Sequence, residues 1–171
     1  MAFKFRNRQV KLTDCQQNWE QLEQELSAPG AVLLQTATQA VATATFTTVT
    51  FDTVLYETGH ITTDLSADSI TIRKSGVYLV AGQVFFPTVG AGVPVVVEVF
   101  LNGASSNRMP RSDDYGAFDD SSVGVSLPVK LAAGDVITLK AYQNSGANVN
   151  IGYATANSVQ CKLGCHWLGP A

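Results

Sequence analysis

The chain has 171 residues, a formal net charge of −3 and only 15% charged residues, which suits one globular domain with a short extension and excludes wholesale disorder. It contains 20 valines, 16 threonines and 5 isoleucines, and these β-branched residues favour pleated sheet, so the composition predicts an all-β fold. The negative net charge excludes a protein that binds nucleic acid through bulk positive charge. No apolar run approaches the ~20 residues that span a bilayer. Because charge is sparse, we expect copies of the chain to cover part of its surface.

Residues 1–12 are predicted to form a basic attachment arm, since residues 1–11 carry a charge of +4. Aromatic and basic side chains alternate there, and the candidate contact residues are Phe3, Lys4, Phe5, Arg6 and Arg8. This pattern suits docking on an acidic partner, for example by strand addition, although a disordered terminus with scattered charge fits it equally well. No apolar run typical of a secretory signal follows, so we expect synthesis and folding in a reducing cytosol. Three cysteines, an odd number, agree with free thiols.

Residues 13–28 are predicted to form a helical stem. Thr13 and Gln16 fit a capping box, and Pro29 and Gly30 end the helix. Apolar residues at spacings of 4, 3 and 4 predict a trimer seam in a short coiled coil, made of Cys15, Trp19, Leu22 and Leu26. One amphipathic helix packed on its own domain would show the same spacing. A coiled coil of only two heptads is marginally stable by itself. We therefore expect that an oligomeric body beside it holds the helices together.

Residues 30–171 are predicted to form one sandwich of about ten strands. Period-two alternation and turn residues predict strands over 31–35, 41–51, 54–57, 69–73, 77–86, 95–101, 122–129, 136–142, 149–153 and 159–168. The polar segment 103–120 is predicted to be a long surface loop. Its acidic tip contains Asp113, Asp114, Asp119 and Asp120.

Neither of two possible metal sites is favoured. The acidic tip has carboxylates suited to calcium, but its residues do not follow the D-x-D-x-D-G order of a helical calcium loop. This favours a solvated tip without a bound ion. In a strand, Cys161 and Cys165 share one face at roughly 13 Å, too far apart for one ion, so both are predicted to be core residues. His166 then points the other way, as a surface or interface residue. We expect no metal and no cofactor.

The sequence lacks the usual catalytic motifs. It contains no Gly-x-Ser-x-Gly, no His-Glu-x-x-His and no phosphate-binding glycine loop. Only two histidines are present, which leaves few groups for acid–base chemistry. We therefore expect that the protein is not an enzyme.

Four segments of the body resemble the complement-type globular head, whose jelly roll is shared with tumour necrosis factor. They are 54–60, 72–80 with Gly76-Val-Tyr78, 131–137 with Gly134-Asp135, and 158–168. This resemblance spans about residues 45–168. It implies a ten-stranded jelly-roll sandwich that assembles as a homotrimer.

The start of the chain, through Asn18-Trp19-Glu20, is similar to the opening of many tailed-phage appendage proteins. We therefore expect a non-enzymatic trimeric virion protein, assembled in the host cytoplasm. Its arm and stem would attach it to capsid or tail proteins, and its jelly roll would serve as a decoration, a fibre head or a knob for a host glycan or protein. The alternative is a soluble trimeric recognition module that binds a glycan, protein or small ligand through 103–120.

Overall fold

A computed structural model describes residues 29–171, apart from 88, 107–108, 117–120 and 153–159. The predicted arm and stem lie outside the described residues, including all their contact and seam residues. Asp119 and Asp120 also lie outside them.

The described residues form thirteen strands and no helix, where the sequence predicted about ten strands. In chain order the strands are β1 (Gly30–Leu34), β2 (Gln39–Val41), β3 (Thr47–Thr48), β4 (Thr53–Thr58), β5 (Ile61–Asp64), β6 (Ser69–Ile72), β7 (Gly76–Phe86), β8 (Val93–Leu101), β9 (Arg111–Gly116), β10 (Ser121–Leu131), β11 (Val136–Gln143), β12 (Val149–Ile151) and β13 (Lys162–Gly169).

The strands build a two-layer sandwich. One sheet has five strands in the order β10-β7-β13-β1-β4, and the other has six in the order β5-β6-β11-β8-β9. Strand β3 pairs with β11, while β2 and β12 form a small sheet of their own. The strand ladders are antiparallel, and β1 lies between β13 and β4, so the two ends of the body meet in one sheet.

Alternate residues of each long strand point into the core between the sheets. On β7 the residues Val80 and Val84 are buried, and on β11 the buried residues include Leu139. Cys161 and Cys165 are free and buried in the same core, which confirms the prediction for both. Burial raises the pKa of the Cys161 thiol to about 11 and that of Cys165 to about 12. Both thiols therefore stay protonated near neutral pH.

The predicted strand over 41–51 is wrong, because the chain breaks in its middle. Ala44 has a φ of 56°, a left-handed conformation that interrupts an extended strand. Its N–H donates to the carbonyl oxygen of Gln143 at 2.7 Å. The segment resumes only at β3, and the break brings Phe46 over the six-stranded sheet.

The predicted loop over 103–120 is wrong for residues 111–116. Residues Arg111–Gly116 form β9, which pairs with β8. In this ladder Asp113 lies opposite Val96 and Asp114 lies opposite Val95. Asp113 and Asp114 therefore belong to a strand and not to a loop tip. An edge strand with polar side chains carries no apolar alternation, so the sequence pattern had no signal there.

Candidate functional site

The outer face is the side of the five-stranded sheet that points away from the other sheet. One row of residues in register crosses all five strands and consists of Ser126, Ala81, Gly164, Val32 and Tyr56. None of these side chains is charged, and three of the residues are small. An open depression of about 410 Å³ lies over this row and reaches His166. Within the described ranges, the chain leaves the middle of this face uncovered.

Strand β7 shows how far the outer face departs from an ordinary solvated sheet. Antiparallel sheets usually alternate apolar residues inward with polar residues outward. On β7 the outward residues Val77, Leu79 and Ala81 are apolar and half-buried, and Gln83 is the first polar one. A sheet with apolar residues on both sides is expected to have a protein on both sides.

A tyrosine–histidine pair lies at one side of the outer face. The hydroxyl oxygen of Tyr56 lies 2.8 Å from Nε2 of His166, and the two ring centroids are 5.8 Å apart. Burial raises the pKa of Tyr56. A Cβ on Gly30 would come within 2.7 Å of Nδ1 of His166, so the imidazole packs directly on this glycine. His166 points to the outer side, as predicted.

The corresponding face of the six-stranded sheet is covered by the chain itself. The ring of Phe46 packs on Phe100 and Tyr142, with centroid distances of 5.5 and 5.3 Å. Nζ of Lys140 lies 4.3 Å from the centroid of the Phe100 ring, and Cζ of Arg111 lies 5.9 Å from that of Phe46. Through these cation–π contacts, Lys140 and Arg111 cover part of the aromatic cluster on its solvent side.

The edge cleft is a second concave feature, of about 640 Å³, between β9 and β10. Its lining residues are Glu98, Ser105, Ser106, Met109, Pro110, Arg111, Ser112, Gly124, Val125, Ser126 and Leu127. Glu98 is almost fully buried and pairs with Arg111 at 3.0 Å. This pair was not predicted from the sequence, although a lone glutamate inside the apolar run of β8 was a signal for it.

The predicted acidic tip does not form a described cluster of carboxylates. Asp113 accepts a hydrogen bond from Nε of Arg111 at 3.0 Å, whereas Asp114 is exposed. Within the described ranges, no group of three or more histidine, cysteine, aspartate or glutamate side chains could hold a metal ion. The same ranges contain no helix long and apolar enough to cross a membrane.

Comparison with known proteins identifies the fold. No protein-family model matches the sequence, and no curated protein matches it either. Among solved structures, the Eiger TNF of S. frugiperda is 12% identical over 84% of this chain and 94% of its own, with a TM-score of 0.59. Murine APRIL is 19% identical over 83% of this chain and 100% of its own, with a TM-score of 0.59. The globular domain of zebrafish complement 1qA is 14% identical over 84% of this chain and 99% of its own, with a TM-score of 0.55. The chain therefore has the jelly-roll fold of tumour-necrosis-factor-like and complement-type globular heads.

Proposed function

We propose that the chain is a non-enzymatic structural and attachment protein whose heads assemble as a homotrimer through the outer face. The observation that carries the proposal is the run of apolar outward residues Val77, Leu79 and Ala81 on β7. The row from Ser126 to Tyr56 adds to it, because its side chains are uncharged and three of its five residues are small, which lets another protein approach closely. The fold likeness to tumour-necrosis-factor-like and complement-type heads also supports a trimer.

The proposed trimer is a closed ring of three copies. A surface that packs on a different patch of the next copy forms a ring if the rotation closes. A ring of three copies carries three identical heads and three N-terminal arms. Three arms attached together bind a symmetric site far more tightly than one arm does.

Replacing Ala81 with glutamate should dissociate the trimer. The change places one unpaired carboxylate from each copy in the interface, and a buried unpaired charge costs several kcal/mol. The unmodified chain should sediment at three times its 18.2 kDa mass at micromolar concentration, and Ala81→Glu should sediment as a monomer.

Ala133→Glu makes the same chemical change at an exposed alanine before β11 and should remain trimeric. An unmodified chain that sediments as a monomer would contradict the trimer itself. A trimer that survives Ala81→Glu would contradict the assigned interface. Circular dichroism of each variant shows whether the head is folded.

The finer part of the proposal assigns the trimer to the virion of a tailed phage. It is supported by the sequence of the arm and stem, residues 1–28, which pairs a basic, aromatic segment with a heptad seam. Deleting residues 1–12 should abolish incorporation into particles while the head stays folded and trimeric. Immunogold labelling of the particles measures incorporation, and normal labelling without the arm would contradict the virion assignment.

A recognition module is a second candidate function, and the edge cleft favours it. The cleft lies partly within the segment 103–120, the binding region predicted from the sequence. In a module of this kind, deletion of the arm would leave ligand binding unchanged.

A further inference from the structure

His166 is a residue of the outer face whose charge can change near neutral pH. Its side chain is half-buried and lines the depression over the middle of this face. An imidazole is the side chain that ordinarily gains or loses its proton between pH 5 and 8. In a trimer that uses the outer face, the next copy covers this ring, so its charge state bears directly on assembly.

The contacts of His166 suit a neutral ring. In the two ladders it lies opposite Gly30 of β1 and Leu79 of β7, neither of which has a polar side chain. The hydroxyl oxygen of Tyr56 lies 2.8 Å from Nε2 and 3.2 Å from Nδ1. A neutral imidazole has one acceptor nitrogen, to which a hydroxyl can donate, whereas a protonated imidazole has two donors and no acceptor.

The outward positions of the five-stranded sheet offer no carboxylate to a charged His166. Across the five described strands these positions carry two lysines, Lys130 on β10 and Lys162 on β13, and no aspartate or glutamate. Glu57 of β4 points to the opposite side of the sheet, where it accepts hydrogen bonds from the backbone N–H and the hydroxyl of Thr63. A proton on His166 therefore adds positive charge to a face that is already basic.

Two other titratable groups next to His166 do not change their charge in this range. Burial raises the pKa of Tyr56, the hydrogen-bond partner on β4. It also raises the pKa of the thiol of Cys165, the preceding residue on β13, to about 12. Both groups therefore stay neutral between pH 5 and 8, and neither can compensate a charge on the imidazole.

We propose, on the basis of the trimer inferred above, that protonation of His166 dissociates it, so that the assembly is stable at neutral pH and separates reversibly in weak acid. A charge that is buried between proteins without an opposite partner opposes association. Protons then bind more tightly to the separate copy than to the trimer, and acid favours the separate copy by mass action. Because each trimer contains three such imidazoles, its association constant should fall by up to about a thousandfold for each unit of pH.

Sedimentation of the full chain at pH 8 and at pH 5, the limits of the imidazole range, tests this regulation. At micromolar concentration the unmodified chain should be a trimer at pH 8 and a monomer at pH 5. Returning the sample to pH 8 should restore the trimer. Circular dichroism at both pH values should show the same folded head, since the expected change is in assembly and not in folding.

Three variants assign the effect to one histidine. His166→Gln keeps a donor and an acceptor beside Tyr56 but gains no charge in weak acid, and His166→Phe keeps a neutral ring. Both variants should remain trimeric at pH 5. His60→Gln is the matched control, because the chain has only two histidines and His60 lies in the turn between β4 and β5. This control should dissociate at pH 5 as the unmodified chain does.

The contrary results separate the regulation from the assembly. An unmodified chain that is a monomer at both pH values contradicts the proposed trimer, whereas a trimer at both pH values contradicts the regulation alone. Dissociation of both His166 variants at pH 5, or a His60→Gln trimer that survives pH 5, shows that His166 is not the responsible group. If both His166 variants are monomers already at pH 8, a neutral side chain is not sufficient for assembly and the inference is wrong. Loss of the folded signal at pH 5 also contradicts it.

Discussion

Replacing Leu139 with alanine is expected to lower the free energy of unfolding by about 3 kcal/mol. Leu139 lies on β11 and is fully buried between the two sheets. A Cβ on Gly82 would come within 2.5 Å of its Cδ1, so the leucine methyl fills the space that the glycine of β7 leaves open. Truncation removes this contact and leaves a cavity, and urea unfolding at a fixed protein concentration measures the loss.

The same contact predicts a coupling between the two positions. Gly82→Ala alone should destabilise the protein by about 1–2 kcal/mol, because the added methyl group overpacks the core. Combined with Leu139→Ala it should cost less than the sum of the two changes, because the new methyl enters the cavity. Leu65→Ala, at an exposed leucine, should cost little. Strict additivity of the two core changes would show that Gly82 and Leu139 do not share this space.

Replacing Arg111 with alanine is expected to destabilise the protein by about 2 kcal/mol at neutral pH. The change leaves the buried carboxylate of Glu98 without its cationic partner. The side chain of Arg111 is 46% exposed, and water screens part of the interaction, so we expect less than for a fully buried pair. The hydrogen bond to Asp113, together with the charges of Asp113 and Glu98, raises the pKa of Arg111, so the guanidinium remains charged.

A second variant separates the lost ion pair from lost packing. Adding Glu98→Gln to Arg111→Ala should recover about half of the stability, because no unpaired charge is then buried. Arg73→Ala is the matched control, since the exposed Arg73 donates from Nε to the neutral hydroxyl of Thr62 at 2.9 Å. Its expected cost is below about 0.5 kcal/mol. If the double variant were no more stable than Arg111→Ala, the main loss would be the packing of Arg111 on Phe46.

The strands with a strong two-residue period were predictable from the sequence. The alternation along 77–86 identified β7, and the alternation along 159–168 placed Cys161 and Cys165 in the core, where they lie. The weak strands were not predictable. Strand β9 consists largely of polar residues at a sheet edge, and β5 has only one apolar residue, so neither shows a period.

Other features depended on partners far away in the chain. The break at Ala44 is held by a hydrogen bond to Gln143, almost a hundred residues further on, and no local pattern reports it. The same holds for Leu127, which the alternation placed on the core side of β10 together with Val125 and Val129. It does point that way, but the edge cleft leaves it exposed.

The sequence by itself determined that the body is an all-β sandwich and which residues of its long strands point into the core. It could do so because burial on one side of a strand imposes a period of two on neighbouring residues. The tertiary structure alone decided which sheet is covered by its own chain, and where Glu98 meets Arg111. Those features depend on which strands become neighbours, and pairing between distant strands leaves no periodic signal in either of them.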